Sequence, residues 1–409
     1  MRKLYQLLFT ITALLAEVGF PQGAAALTAA GTVYSDPSGN LIGSGCLNIV
    51  SFGGVGNGTT NNSAAWAAAK AALPSGGGCI FFPTGKFLFS SSINYSLSSS
   101  TASLRVVGNG ENATILYFSG TDGLSVTYNN YMQSVHIEDL SITTGTAGLH
   151  NGLTLAQGNS TCLGTFAQSS IVNVLFRGDD NLGGGGPFYW NVAYIVYNLS
   201  AVNVISAVVY GDGADHGIGG YYYGSGVGPC FAIYGNVTSS IFNNLSVGIL
   251  YGQYFQGLTV SQTNFQDAFA ISANPGEGGF LAQMNLIGNQ LSGDLNAVDI
   301  ETAIDHIEII GNVILTTAGN SGIFMTQNGG GGIVSNIIYG AANSFGVYVQ
   351  NSNGNGLTIT SNQFQTLRYG VYLDTTTSKV NVQSNSYVGV TTQVLNNAGT
   401  ANTVGGGSK

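Results

Sequence analysis

Five stretches, Leu258–Phe265 (LTVSQTNF), Met284–Leu291 (MNLIGNQL), Ile307–Ile314 (IEIIGNVI), Leu357–Phe364 (LTITSNQF) and Val380–Tyr387 (VNVQSNSY), repeat one pattern. Two apolar residues flank a polar one, and an Asn and another apolar residue follow. This reading puts Asn264, Asn289, Asn312, Asn362 and Asn385 at one equivalent position, with Asn336 of IVSNII in the remaining turn, at steps of 25, 23, 24, 26 and 23 residues. Upstream, Asn244, Asn198 and Asn173 extend the series, and Asp139 of VHIEDLSI takes the same slot. Eight to ten residues past the Asn a second short apolar run begins with a small residue, as in Ala297-Val298-Asp299-Ile300 and Gly346-Val347-Tyr348-Val349.

A unit of this length cannot bury its own apolar face, so neighbouring units must share one core. Short strands separated by polar corners then describe an all-β parallel solenoid, and a stacked Asn column would satisfy the backbone of one corner. A leucine-rich repeat lacks support because the Leu positions and the per-repeat helix are missing. One helix is expected, over about 63–73, capped by Asn62 or Ser63 and closing the open first coil, whose unpaired edges would otherwise invite association.

Composition narrows function. Only 7% of the 409 residues are charged, where a soluble domain has about 25%. Nine Lys and Arg against eighteen Asp and Glu give a net charge of −9, which leaves no basic face for nucleic acid. Hydrophobic residues at 44% supply a core, and 62 Gly argue against a helical fold. Residues 1–26 read as a secretion signal, with Met1-Arg2-Lys3, an apolar run and Ala24-Ala25-Ala26, and no later stretch reads as a membrane span. Export permits disulfides among Cys46, Cys79, Cys162 and Cys230; three pairings exist, and Cys46 with Cys79 is the first to test. The expected layout is a lead segment over 27–48, one domain over 49–395 with a loop insertion near 211–229, and a Gly-rich tail over 396–409.

The stretch from Val50 to Ser92 resembles the opening signature of the pectate-lyase-like superfamily, which includes rhamnogalacturonase-type enzymes and phage tailspike proteins. The matching pieces are Phe52-Gly53, Gly56-x-Gly58, the Ala-rich helix, a Gly-rich strand entry and Phe82-Pro83-x-Gly85. The resemblance implies a right-handed parallel β-helix, a carbohydrate polymer as ligand and, as in tailspike relatives, association into trimers. Acidic positions common in the family's opening read here as Ser51, Asn57, Asn61 and Asn62. Amides do not titrate, so service in acid is one reading of the change and lineage drift the other.

Glycoside hydrolysis requires two carboxylates, and elimination requires a base beside a neutralised uronate. Three clusters supply acids: Arg177-Gly178-Asp179-Asp180, Asp212-Gly213-Ala214-Asp215-His216, and Asp299-x-Glu301 followed by Asp305, His306 and Glu308. The first two resemble Gly-Asp-Asp and Gly-His-Gly segments of polygalacturonase-type hydrolases, which would make Asp179 and Asp180 the acid/base pair and His216 its tuning partner. In the third, the period-two rule puts Asp299, Phe324, Tyr348 and Tyr372 outward on successive coils, with Glu301 on the same side as Asp299. Aromatic rings beside acids suit sugars. Tyr221 and Tyr222, in the 211–229 insertion, and Arg177 complete the candidate binding set. His136, His150 and His306 read as structural. No zinc, P-loop or EF-hand spacing is present, so no cofactor is expected and calcium has no support. The favoured reading is a secreted hydrolase of an acidic, pectin-like polymer; a lyase of the same fold and a non-catalytic adhesive protein are the alternatives.

Overall fold

The computed structural model describes residues 34–35, 41–42, 45–130, 132–158, 167–180, 186–225, 232–273, 281–326, 330–351 and 356–405. Residues 1–26, the expected secretion signal, and Cys162 and Cys230 lie outside these. The chain divides into two units, Met1–Gly45 and Cys46–Lys409. In the first, Tyr34–Ser35 pairs antiparallel with Leu41–Ile42.

The second unit is a parallel β-solenoid of about twelve turns. One face is a twelve-strand parallel sheet that starts at Ile93–Ser96 and ends at Thr392–Asn396. Two further ladders complete the circumference. The first runs from Cys46–Asn48 to Thr403–Val404, and the second from Asn57–Asn61 to Ser386–Val388. Ser134–Thr144 and Ser169–Gly178 are long enough to pass from the first ladder into the second. Rungs stack about 4.8 Å apart, so equivalent side chains form columns along the axis. The inward column Ile271, Val298, Ile323, Val347 and Val371 is fully buried.

The Asn column closes the corner between the two ladders. Asn289, Asn312, Asn336 and Asn362 each direct their backbone N–H and Nδ2 to the Oδ1 of the next Asn, at 2.8–3.1 Å. The Nδ2 groups also donate to carbonyls one rung back, such as Leu286 and Ile309. Asn264 is not a member. The position belongs to Thr263, whose N–H donates to Asn289 Oδ1 at 3.0 Å, while Asn264 is exposed. Ser240 and Ala207 continue the column, so amides give way to hydroxyls and then to no side-chain donor. The residue just before each member is left-handed, including Ser206, Gln262, Gly288, Gly311, Ser335 and Ser384. Asp139 and Asn173 occupy that left-handed slot rather than the ladder, where Asn173 Nδ2 donates to Asp139 Oδ1 at 2.9 Å.

The helix spans Ser63–Ala72 and buries Ala65, Trp66 and Ala69, with Trp66 stacked 6.3 Å from Phe82. Its first turn is held by Asn61, whose Oδ1 accepts from Ser63 N–H at 3.1 Å. Asn62 makes no cap bond. Buried, it donates through Nδ2 to Val55, Thr60 and Leu88 carbonyls and accepts from Val55 N–H, clamping the opening turn to the next rung. Cys46 and Cys79 are neighbours in register on adjacent strands and form a disulfide.

Two boundaries change. Thr403–Val404 pairs with Asn381 and Val382, so the last rung runs past residue 395. The interval 211–229 does not interrupt the repeat, because Ile218–Tyr223 is a regular strand of the twelve-strand sheet. Asn198 and Asn244 belong to different corners, so their 46-residue separation is not a repeat length.

Candidate functional site

The outer face of the twelve-strand sheet carries an unbroken register through Tyr221, Leu250, Ser272, Asp299, Phe324, Tyr348 and Tyr372. Alternation along each strand points these residues away from the core column described above. Phe324 lies 5.2 Å from Tyr348, and Tyr348 4.7 Å from Tyr372, both edge to face. Phe345 and Tyr369 widen the patch, stacking on each other at 5.2 Å and meeting Tyr372 edge-on. Sequence reasoning missed these two because the strict alternation breaks at Gly346. Gly346 and Val347 both face inward, since a Cβ at Gly346 would sit 2.5 Å from Phe364, and Phe345 is therefore turned outward. Farther up the face, Tyr221 stacks on Tyr223 at 4.3 Å and Tyr223 meets Tyr197 at 4.7 Å. Tyr222 points the other way: it is fully buried between Tyr194 and Phe255, so it is a core residue and not a ligand contact.

Asp299 opens the aromatic column and is 6% exposed. Asn296 Nδ2 donates to its Oδ1 at 2.8 Å. Burial pushes its carboxyl up to about 6; the Asn296 bond pulls down and the charge of Glu301 adds to the rise. Glu301 is exposed, and its N–H donates to Ala273 O at 3.0 Å, which extends the ladder to this residue.

The other sequence candidates lie elsewhere. Asp179 is held by Lys86 at 2.6 Å, and Lys86 also sits 4.2 Å over the Tyr117 ring. Asp180 accepts from Phe188 N–H at 3.1 Å. Arg177 is buried, with Nη1 donating to Gly178 O at 2.7 Å; burial pushes its guanidinium down, against the pull of Asp179 and Asp180. It is thus not available at the surface as a binding cation. The rung that follows Asp179 and Asp180 precedes the Asp299 strand by four rungs, roughly 19 Å along the axis. Asp212 Oδ2 and His216 Nδ1 are 2.7 Å apart, and Tyr189 stacks on His216 at 5.2 Å. Burial raises Asp212, but the His216 and Ala214 hydrogen bonds outweigh it and leave the carboxyl low. Asp215 is raised by burial and by Asp294, to which it hydrogen-bonds. Its loop therefore reaches the corner just ahead of the Asp299 strand.

The run from Asp299 to Glu308 is divided by the fold. Asp305, His306 and Glu308 belong to the first ladder, where Ile304–Ile310 lies around a corner from Asp299. His306 Nε2 and Glu308 Oε1 are 2.8 Å apart, beside a groove of about 490 Å³ left open by Gly330, Gly331 and Gly332. His306 and Glu308 share a face because they are two residues apart in a strand, a signal legible in the sequence. His136 bonds Ser170 Oγ at 2.8 Å, and His150 lies 3.5 Å from Asp122. Among the described residues no three His, Cys, Asp or Glu side chains converge as a metal site would require.

Three parallel faces wound around one core, with an Asn-lined corner and a capped first coil, define a parallel β-helix protein. The chain belongs to the rhamnogalacturonase A/epimerase, pectate lyase-like family, whose model matches residues 46–274. The solenoid is accordingly right-handed. Among solved structures it is similar to tailspike protein 3 of bacteriophage CBA120, at 14% identity and a TM-score of 0.55, covering 89% of this chain and 61% of that one. It is also similar to the DFA-IIIase of Arthrobacter chlorophenolicus A6 without its lid, at 11% identity and 0.54, covering 84% and 98%. The tailspike protein of Acinetobacter phage vB_ApiP_P1 aligns at 10% identity and 0.52, covering 85% and 60%. At these identities the likeness is one of fold. The chain spans about three fifths of the length of either tailspike. No curated protein matches the sequence.

Proposed function

We propose that this protein binds a polysaccharide lengthwise along the outer face of the twelve-strand sheet and hydrolyses it there. The observation that carries the reading is the single column in which a buried carboxyl, Asp299, adjoins three aromatic rings on the next three rungs. Sugar rings present apolar C–H faces that pack on aromatic surfaces. The family's name, joining a rhamnogalacturonase with pectate lyase, supports a carbohydrate polymer.

Asp299, protonated below about pH 6, gives its proton to the glycosidic oxygen. Glu301 stands two residues on, roughly 6.6 Å along an extended strand, near the lower end of the spacing at which a second carboxylate can activate water from the opposite side. Asp179 and Asp180 drop from this scheme because Lys86 and Phe188 N–H hold them. Export fits the reading, since the Cys46–Cys79 disulfide persists in an oxidising compartment. No helix among the described residues is long and apolar enough to cross a membrane.

The test is incubation of the full chain and of Asp299→Asn with a panel of polysaccharides, reading reducing ends and unsaturated-uronate absorbance together. New ends without absorbance, lost in the variant, support hydrolysis. Absorbance with the ends means elimination and refutes the acid and base roles; binding without product leaves an adhesive solenoid.

A further inference from the structure

We propose that the polymer taken by this face is uncharged: a neutral polysaccharide, not a uronate-bearing one. The inference rests on the glycan reading of the face, and it departs from the pectin-like substrate that the sequence suggests.

A polyanion is recognised by cations that can reach its charges, above all by Arg with its fixed fork of donors. Six of the nine Lys and Arg are among the described residues. Arg2, Lys3 and Lys409 lie outside the described residues. Lys70, on the capping helix, donates to Asn94 O at 2.9 Å, and Lys86 is paired with Asp179 at 2.6 Å. Arg105 is paired with Glu138 on the first ladder at 2.6 Å, and Arg177 is buried. Lys379 sits in the corner that leads into the first-ladder strand Val380–Gln383. Lys70 thus stands at the edge strand of the face, nine rungs from the middle of the aromatic patch, and among the described residues Arg368 alone borders the aromatic column, its guanidinium 5.0 Å from the centre of the Tyr369 ring.

The twelve positions in register from Asn94 to Leu395 hold one amide, three hydroxyls, aliphatic and aromatic residues and one carboxylate, with no cation. Glu301 and Asp374 stand two residues beyond Asp299 and Tyr372. The stretches between residues 93 and 405 that lie outside the described residues contain no Lys or Arg and one acid, Glu277. A uronate chain laid on the aromatic column would therefore run past Asp299, Glu301 and Asp374 with, among the described residues, only Arg368 beside the column to offset the repulsion. A neutral chain meets no such cost, and its C–H faces pack on the same rings.

The experiment is affinity electrophoresis of the full chain near pH 7, at low and high salt. The probes are homogalacturonan in its de-esterified and fully methyl-esterified forms, starch, mixed-linkage β-glucan and galactomannan. Expected is retention by at least one uncharged polymer, insensitive to salt, with de-esterified homogalacturonan bound at least about tenfold more weakly. Glu301→Gln, at an exposed site, and Asp299→Asn, which keeps the side-chain shape, should each narrow that difference. Stronger, salt-sensitive retention by the de-esterified polymer overturns the inference and leaves the glycan reading in place. Retention by none of the probes defeats the glycan reading itself, and the inference with it.

Discussion

Replacing Asn336 by Ala removes one member of the ladder that ties consecutive rungs together. Four side-chain hydrogen bonds go: Nδ2 to Ile309 O at 2.7 Å, Nδ2 to Asn362 Oδ1 at 2.9 Å, and the two that Oδ1 accepts from Asn312 N–H and Nδ2, both at 2.9 Å. Asn312 Nδ2 keeps Leu286 O and Asn362 Oδ1 keeps the Asn336 N–H, so the groups left without these partners are Asn312 N–H and Ile309 O. At about 1 kcal/mol for each bond the expected loss is about 4 kcal/mol, since the site is 1% exposed and water cannot substitute freely. The control is Asn264→Ala, whose exposed side chain stands outside the ladder and should change stability by less than about 0.5 kcal/mol. Because a solenoid couples mainly nearest neighbours, native-state hydrogen exchange is the appropriate assay. Opening free energy should fall on the rungs around Asn312 and Asn362 and hold at Leu124–Tyr128. A loss below about 1 kcal/mol, or one equal to the control, would refute the ladder as a principal brace.

Hydrolytic activity should decline as pH rises through about 6, because the acid form of Asp299 is lost there, and Asp299→Asn should lower turnover about 10²–10⁴-fold; a rate that climbs through that pH contradicts the assignment. Asp267, 3% exposed, has its carboxyl raised well above the usual range by burial, so the folded state keeps a proton that the unfolded chain releases near about pH 4. Its contribution is complete in acid and lost as pH rises through the folded value, so Asp267→Asn should raise the thermal midpoint at neutral pH and flatten its fall from acid, as calorimetry at both pH values would read. The Cys46–Cys79 bridge closes a separation of 33 residues, so Cys46→Ser with Cys79→Ser should cost about 3–4 kcal/mol by loop-closure entropy. Proteolysis should then open the first coil while leaving the rungs beyond Leu124 protected.

The winding of the chain is legible because most strands are short, carry apolar residues at alternate positions and end at polar corners. The ladder register is displaced by one at the first Asn of the repeated pattern, where Thr263 substitutes for the amide and the adjacent Asn264 imitates it. Asp139 and Asn173 were drawn into the same series because left-handed corner residues and ladder residues are neighbours with similar chemistry. Asp299, Phe324, Tyr348 and Tyr372 could be placed on one column from period two alone. The Tyr221-Tyr222-Tyr223 run resembles a loop in composition, but it is a strand that alternates, and its middle ring goes to the core. Neither Lys86 with Asp179, 93 residues apart, nor Asp215 with Asp294 is encoded locally. One amide of the opening motif has a structural role of its own. Asn62 donates to three carbonyls that a carboxylate could not satisfy.

Where the polymer lies is tested most directly by hydroxyl-radical footprinting of the full chain, free and with a retained polysaccharide. Phe324, Tyr348 and Tyr372 should oxidise more slowly in the presence of the polymer, while Tyr234 and Tyr339, on the two ladders, stay unchanged. Protection centred on His306 and the glycine-lined groove, with the aromatic column unaffected, would contradict it.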